Sequence, residues 1–293
     1  MSNHVHPAPP IVLTIAGFDP SCGAGVAADL KTFAAHNCYG VAVIAALTVQ
    51  STQGVAATHI TPAATLRAQL DALADDVRLA GIKIGMLGNR ANAAVVAEFL
   101  DRVKCANVVL DPVVKPSLGG ADLLDASGIK YLSEELLRRA TVVTPNVPEA
   151  ELLAGIEIRD VAAMEAAARK IVERGAHAVI VKGGHMEKPV DLLFDGTEVL
   201  ALGGEHVRTQ NTHGSGCTFA AAVAAQLACG RSLAESATLA KAYVTKAMEN
   251  GFAIGKGPGS LDHFYRAHHE PPARGIHEVP QHGMHPAAEP ATR

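Results

Sequence analysis

The sequence predicts an α/β fold in which a mostly parallel sheet is covered by helices on both faces. Short β-branched runs alternate with Ala- and Leu-rich helical patterns along nearly the whole chain. The predicted strands are almost continuously apolar, which is typical of parallel strands buried on both sides. With 293 residues, of which 48% are hydrophobic, the chain can bury a large core.

The two-residue period of strands and the 3.6-residue period of helices locate the individual elements. The predicted strands are Ile11–Ala16, Val41–Leu47, Ile82–Gly85, Val108–Asp111, Thr141–Thr144 and Ala178–Lys182. The predicted helices are Gly25–His36, Pro62–Asp76, Ala91–Arg102, Ser133–Arg139, Pro148–Leu153, Val161–Arg174, Cys217–Ala228 and Leu233–Asn250.

Two β-hairpins complete the pattern. One is built around a Gly-Thr turn, which is flanked by Leu192–Asp195 and Glu198–Ala201. The other is built around Ser-Thr-Gln-Gly, which is flanked by Val41–Val49 and Val55–Ile60.

No linker or repeat divides the chain, so we expect one domain over residues 11–266. Residues 1–10 are predicted to be a flexible N-terminus. Residues 267–293 are Pro-rich and lack apolar periodicity, and are predicted to be a disordered tail with no role for its histidines.

Composition limits the classes of function. Lys and Arg number 25 against 29 acidic residues, a net charge of −4 with no long basic run, which argues against a nucleic-acid partner. The five cysteines are odd in number and form no C-x-x-C pair, as expected in a reducing, cytoplasmic setting. No apolar run is long enough to span a bilayer, and the N-terminus lacks the plan of a signal peptide.

The most informative segment is Gln210–Phe219, with sequence QNTHGSGCTF, which an Ala-rich helical run follows. Gly214, Ser215, Gly216 and Cys217 should form the first turn of that helix. Free N–H groups and the helix dipole make such a turn a phosphate site, and its field favours a thiolate at Cys217. A phosphate cradle beside a proton acceptor fits phosphoryl transfer to an alcohol. A buried Cys in a glycine-capped helix is the plain alternative.

Polar residues follow three of the predicted parallel strands. Asp111, Asn146 with Glu149, and Lys182 come at the carboxyl ends of successive strands, where open α/β sheets bind their ligands. Two acids suit Mg²⁺, which keeps several waters and phosphate oxygens, and a lysine suits nucleotide phosphates. The alternative makes Asp111 and Asn146 turn residues, Glu149 a helix-capping acid and Lys182 a surface lysine.

Two common nucleotide motifs are excluded. Residues 23–28 (GAGVAA) match a dinucleotide-binding pattern, but no acid follows at the end of the second strand, and the preceding loop is too long. Gly255-Lys256 is followed by Gly257, so the P-loop pattern also fails. A kinase with this sequence is therefore not of the P-loop type.

The motifs in this order resemble one family. Residues 211–218 (NTHGSGCT) are similar to the N-T-H-G-[ST]-G-C-T segment of the hydroxymethylpyrimidine/phosphomethylpyrimidine kinases of thiamine synthesis, in the ribokinase-like superfamily. The likeness runs from about Ile11 to Arg266. Its other landmarks are AGFDPS with GAG (residues 16–25), ADLKTF (28–33), TVQSTQGV (48–55), KIGML (83–87), DPV (111–113), PNVPEA (145–150) and KGGH (182–185).

The resemblance implies a three-layer α/β/α fold with a small β flap, and roles for individual residues. Cys217 takes the place of a catalytic Asp, and Gly214, Ser215 and Gly216 belong to the anion hole. The implied substrate contacts come from Gln50, which holds the aminopyrimidine, Met86, which packs on its ring, and Gly17, Asp19, Ala24 and Val113. Asp111, Asn146, Glu149, Lys182 and Thr212 are implied to serve ATP, with Mg²⁺ near Asp111 and Glu149, through water.

Two departures and two alternatives accompany this interpretation. Cys22 replaces the usual glycine and is expected to add a side chain at the pocket edge, and the segment 114–120 is one residue longer than the common form.

A pyridoxal/pyridoxine kinase is the closest alternative function. Gln50 argues against it, because its amide matches a ring nitrogen beside an exocyclic amine. A non-catalytic pyrimidine sensor is the other. Superfamily relatives often form homodimers, but the sequence assigns no interface.

Overall fold

A nine-stranded sheet forms the centre of the computed structural model, which describes residues 8–115, 123–184, 189–204 and 207–269. The strands are β1 (Ile11–Phe18), β2 (Tyr39–Ser51), β3 (Gly54–Ile60), β4 (Gly81–Ile84), β5 (Val108–Leu110), β6 (Val142–Val143), β7 (Val179–Gly183), β8 (Val190–Phe194) and β9 (Val199–Gly203). They lie in the order β3-β2-β1-β4-β5-β6-β7-β8-β9.

The six strands from β2 through β1 to β7 are parallel, and the hairpins lie at the two edges. β3 pairs with β2, and β8 with β7 and β9, in antiparallel register. The mostly parallel sheet and both predicted hairpins are therefore confirmed. β2 is longer than predicted, because its outer half continues beyond the sheet core to form the flap with β3.

The eight α-helices of the described chain match the predicted ones closely. They are α1 (Gly25–Ala35), α2 (Ala63–Ala74), α3 (Arg90–Val103), α4 (Ala126–Tyr131), α5 (Val147–Ala154), α6 (Val161–Glu173), α7 (Ser215–Ala228) and α8 (Leu233–Glu249). The predicted start at Ser133 was wrong. The helix begins at Ala126, where the Asp125 side chain caps Gly128 N–H, and continues as a π turn and a 3₁₀ turn to Arg139.

Two separate hydrophobic cores lie on the two faces of the sheet. Leu13 and Ile15 point to the face covered by α2 to α6, whereas Val12 points to the face covered by α1, α7 and α8. This alternation along one strand is the two-residue period of a strand that is buried on both sides. The three-layer architecture is thereby confirmed.

A short turn follows the α/β domain at the start of the predicted tail. Ala267–His269, the first residues of the predicted tail, form a 3₁₀ turn, and His268 Nδ1 lies 3.3 Å from Asp262 Oδ2. Residues 1–7, 116–122, 185–188, 205–206 and 270–293 lie outside the described chain. They include most of the extended loop and His185, a residue of the KGGH segment. Within the residues that are described, no helix combines the length and apolar character needed to cross a bilayer.

Candidate active site

A cavity lies at the carboxyl ends of the parallel strands, roofed on one side by the β2–β3 flap. Thirteen of the fifteen residues predicted for the site line it: Gly17, Asp19, Ala24, Gln50, Met86, Asp111, Val113, Asn146, Glu149, Lys182, Gly214, Gly216 and Cys217. Ser215 and Thr212 do not line it, and Thr212 is exposed. The sequence thus located the cavity, while the roles of its residues remain predictions.

Two glycine-rich helix starts meet at the centre of this cavity. Gly214, with φ of 82°, precedes α7, and a Cβ there would lie 1.8 Å from the carbonyl oxygen of Gly23. Gly25, with φ of 58°, opens α1, and a Cβ there would lie 2.2 Å from Gly17 O. Only glycine permits these positive φ angles and backbone contacts at no cost. The starts of two helices are thereby brought together in one cavity, an arrangement that suits an anion.

The thiol of Cys217 lies between these two helix starts. The backbone N–H of Gly25 donates a hydrogen bond to it, and Lys83 lowers its pKa. Removal of the thiol from water has the larger effect and raises the pKa of Cys217 to about 11. The expected thiolate was therefore wrong, because burial outweighs the helix field and the lysine.

Asp111, which follows β5, and Lys182, on β7, form an ion pair in the cavity. Lys182 Nζ lies 2.9 Å from Asp111 Oδ1, and Thr144 Oγ1 is 3.3 Å from the same oxygen. Burial alone would lower the pKa of Lys182, but Asp111 and Glu149 raise it above its usual value. A Cβ on Gly216 would lie 3.3 Å from Lys182 Nζ, so the lysine also approaches the start of α7.

Asn146 and Glu149 combine a structural and a chemical feature. They form a capping box at the start of α5, since each side chain accepts from the backbone N–H of the other at 2.9 Å. The capping alternative is therefore correct as a description of their contacts. Both residues also line the cavity, and burial raises the pKa of Glu149 to about 7.

The donors around Asp111 fit a magnesium ion that keeps water ligands. In the described part of the chain, no three His, Cys, Asp or Glu side chains are arranged to hold a metal ion by themselves. Asp111 and Glu149 nevertheless share one cavity, and their mutual repulsion contributes to the raised pKa of Glu149. A divalent cation would relieve that repulsion, and Mg²⁺ ordinarily binds through one or two carboxylates and several waters.

The flap side of the cavity carries the predicted substrate residues. Gln50 Oε1 lies 3.1 Å from the hydroxyl of Thr48, which is itself 2.9 Å from the carbonyl oxygen of Phe18. Met86 is buried, and a Cβ on Gly17 would lie 2.9 Å from its sulfur. The amide of Gln50 is thereby oriented from the strand behind it, and Met86 fills the space that Gly17 leaves.

Asp19 lines the cavity, but its carboxylate is occupied by its own loop. It accepts from Ser21 N, from the Ser21 hydroxyl and from Ala24 N, and His213 Nε2 lies 2.8 Å away. These bonds outweigh burial, which acts in the opposite direction, and the pKa of Asp19 is lowered. Asp19 thus fixes the loop, and the buried His213 is a site residue that the sequence analysis missed.

A second missed group is the buried ion pair of Lys83 and Asp29. Both side chains are fully buried, with 2.9 Å between Lys83 Nζ and Asp29 Oδ2, and Lys83 lines the cavity. Both residues stand in segments of the family resemblance. A charged residue in the middle of an otherwise apolar strand was the available signal.

Cys22 does not line the cavity, contrary to the expectation. It has a φ of 58°, and its sulfur points back to Pro20 O at 3.7 Å. An L-residue in this left-handed region costs about 1–2 kcal/mol, which explains why glycine is usual here.

The fold is that of a small-molecule phosphotransferase, and the sequence has no P-loop pattern. The model of one family, phosphomethylpyrimidine kinase, matches residues 19–262. The chain belongs to this family. It is 44% identical over 261 residues to the hydroxymethylpyrimidine/phosphomethylpyrimidine kinase of Rhizobium meliloti, covering 87% of this chain and 97% of the relative.

Solved structures support the same class. The chain is similar to the ADP complex of Bacillus subtilis pyridoxal kinase, with a TM-score of 0.80, 35% identity, and coverage of 87% of this chain and 97% of that one. It is also similar to phosphomethylpyrimidine kinase from Clostridium difficile, with a TM-score of 0.73, 34% identity, and coverage of 81% and 99%.

Proposed function

We propose that the protein uses ATP to phosphorylate 4-amino-5-hydroxymethyl-2-methylpyrimidine and then its monophosphate, in thiamine diphosphate biosynthesis. One observation carries the proposal. Gln50, Cys217, Asp111, Glu149 and Lys182 line a single cavity. Across the sheet, Gln50 stands on β2, α7 with Cys217 packs against β1, β4 and β5, Asp111 follows β5 and Lys182 stands on β7. This order matches an aminopyrimidine, its alcohol oxygen and a nucleotide triphosphate placed in line.

In the first reaction the alcohol oxygen of the pyrimidine attacks the γ-phosphorus of ATP. The new P–O bond forms as the bond to the β-phosphate oxygen breaks, and ADP leaves with that electron pair. Cys217, as a thiolate, takes the alcohol proton. The N–H groups at the start of α7 and the ammonium of Lys182 stabilise the charge on the transferring group.

The protonation of Cys217 depends on the groups around it. Burial and the carboxylates of Asp111 and Asp29 raise its pKa, which favours the thiol. Mg²⁺, when bound by Asp111 and Glu149, would neutralise their charge and that of the phosphates. Lys83 and Lys182 would then favour the thiolate in the loaded site, which is where the reaction needs it.

A pyridoxal kinase is the second candidate, and the 35% identity to the pyridoxal kinase of Bacillus subtilis favours it. The Gln50 amide opposes it. An amide offers an N–H donor and a carbonyl acceptor side by side, which match a ring nitrogen and an exocyclic amine. The pyridine of vitamin B6 has no such amine.

The deciding experiment compares kcat/KM for the pyrimidine alcohol, its monophosphate and pyridoxal. ADP release is measured with a coupled enzyme assay, and the products are identified by mass spectrometry. We expect turnover of both pyrimidines at a higher kcat/KM than for pyridoxal. A higher value for pyridoxal would replace the proposal by the second candidate. No turnover of any of the three would favour a pyrimidine sensor.

Location and assembly are further parts of the proposal. All five cysteines are free thiols, which supports a reducing, cytoplasmic location. A homodimer is proposed from the superfamily alone, and light scattering of the purified protein tests it.

A further inference from the structure

The ion pair of Lys83 and Asp29 lies beneath the centre of the active site. Lys83 is on β4 and Asp29 on α1, and α7, which carries Cys217, packs against both elements. Lys83 Nζ is 2.9 Å from Asp29 Oδ2, and the Thr14 hydroxyl donates to the same oxygen at 2.6 Å. Asp29 Oδ1 has no partner. Two opposite charges are therefore withdrawn from water behind the reacting centre.

Stability alone is a weak reason for this arrangement. A buried ion pair often contributes no more than well-packed apolar residues would, since both charges lose their hydration. The remaining strand positions beside Lys83 are apolar, and an unpaired carboxylate oxygen adds a further cost. Lys83, however, reaches the wall of the cavity that Cys217 also lines. A cation at that wall acts on the chemistry of the thiol.

The groups facing Cys217 separate into two pairs of opposite sign. Lys83 from β4 and Lys182 from β7 are the cations, and Asp111 after β5 and Asp29 from α1 are the anions. Lys182 is already paired with Asp111 and faces the nucleotide side. Although burial acts against it, Asp29 raises the pKa of Lys83, so the lysine stays charged and is not itself a base.

We propose that Lys83 is a positioning residue of the phosphorylation reaction: its ammonium group, held by Asp29, stabilises the anionic sulfur that Cys217 must carry to accept the proton of the substrate alcohol. The inference rests on the proposed function for the identity of that alcohol. Its electrostatic part concerns the free protein and is testable without any substrate. Gly85 supports the geometry, because a Cβ there would lie 2.8 Å from Lys83 Nζ and crowd the ammonium group.

The first test measures the rate at which iodoacetamide alkylates Cys217 at about pH 8.5, by mass spectrometry of the peptide that contains it. In Lys83→Met the rate should fall about tenfold or more, because the fraction of Cys217 present as thiolate at that pH is lower. Cys105, at the opposite end of the strands, is the internal control. Its alkylation is measured in the same digest and should be the same in both proteins.

Thr14→Val is the matched control, because it disturbs the same buried network but leaves both charges in place. It should lower the melting temperature without changing the alkylation rate of Cys217. If Lys83→Met does not fold, the neutral pair Lys83→Met/Asp29→Asn replaces it, with the same expected direction. An unchanged alkylation rate in the folded variant, or an equal decrease in Thr14→Val, would overturn the proposal.

The second test uses the two phosphorylation steps. Lys83→Met should reduce kcat for the pyrimidine alcohol far more than for the monophosphate, and should add little further loss in a Cys217→Ala background. Independent, multiplicative losses in the double variant would mean that Lys83 does not act through Cys217. Failure of the proposed function would appear differently, as absent pyrimidine turnover in the unmodified protein.

Discussion

In the proposed function, Gln50 is the residue that decides which ring the cavity accepts. Its amide is oriented by contact with Thr48, which lies at hydrogen-bonding distance from both Gln50 and the backbone of β1. A side chain fixed in this way loses little conformational freedom on binding, so more of its hydrogen-bond energy remains for discrimination.

Gln50→Leu should therefore raise the KM for the pyrimidine alcohol and leave the KM for ATP nearly unchanged. Loss of one bidentate pair of about 1–3 kcal/mol corresponds to an increase of about 5- to 150-fold. Gln53→Leu, at the exposed flap turn outside the cavity, is the control and should behave as the unmodified enzyme. An unchanged pyrimidine KM in Gln50→Leu would remove Gln50 from the site.

Glu149 gives the site a pH dependence with a definite sign. Its pKa is raised to about 7, so it is protonated, and a poor metal ligand, below that pH in the free enzyme. The Mg²⁺ concentration for half-maximal activity should rise as pH falls through 7, by about tenfold per unit well below it. Titrations of activity with Mg²⁺ from pH 5.5 to 8.5 measure this.

Glu149→Gln isolates the charge, because glutamine can still accept from the Asn146 N–H and preserve the cap. The variant should need more Mg²⁺ at pH 8 and lose the dependence around pH 7. Glu173→Gln, on the exposed face of α6, controls for net charge. A wild-type Mg²⁺ requirement in Glu149→Gln would leave this residue with its capping role alone.

At the scale of elements, the proposed mechanism gives the start of α7 two separable tasks. Its N–H groups would bind the phosphoryl group in both reactions, whereas Cys217 would have a proton to accept only when the acceptor is an alcohol. In the second reaction the acceptor is already an anionic phosphate oxygen. The two reactions therefore distinguish a base from an anion-binding turn.

Cys217→Ala should lower kcat for the alcohol by about 10²- to 10⁴-fold and change kcat for the monophosphate much less. Gly216→Leu should reduce both, because even a Cβ there would lie 3.3 Å from Lys182 Nζ and a larger side chain fills the anion site. Cys229→Ala, at the exposed end of the same helix, is the control. Equal losses in Cys217→Ala would mean that Cys217 shapes the site and is not the base.

Elements with strong local signals could be predicted from the sequence, and those governed by tertiary contacts could not. The start of α7 follows from Gly214 and the Ala-rich run behind it. The start of α4 was missed because its cap, Asp125, precedes residues that do not repeat with a clear helical period. The predicted thiolate at Cys217 was also wrong. The burial of Cys217 depends on its packing against α1 and β4, which the local sequence does not reveal.

On the scale of the whole molecule, the flap that carries Gln50 rests on a loop 200 residues away. Thr52, at the tip of the flap, accepts from Gly257 N at 3.1 Å, and a Cβ on Gly257 would lie 1.7 Å from Thr52 O. The Gly255-Lys256-Gly257 segment, which is no phosphate loop, thus has a structural explanation. Close approach of two backbones requires glycine here.

Gly257→Ala should push the flap tip away and raise the KM for the pyrimidine by about tenfold or more, since small displacements in a site are costly. The KM for ATP should change little. Gly203→Ala on β9, where a Cβ would have no neighbour within 4 Å, is the matched control. Equal kinetics in the two variants would show that the contact with Thr52 does not hold the flap.

The order in which the chain is made has a consequence for when this cavity can exist. α7 covers β1, β4 and β5, and it contributes more residues than any other element to the core on its face of the sheet. On the ribosome, roughly the first three quarters of the protein emerge with only α1 to cover that face and with only one of the two helix starts that meet at Cys217. Binding competence therefore arises late in synthesis, and a fragment ending at residue 210 should expose apolar surface and aggregate.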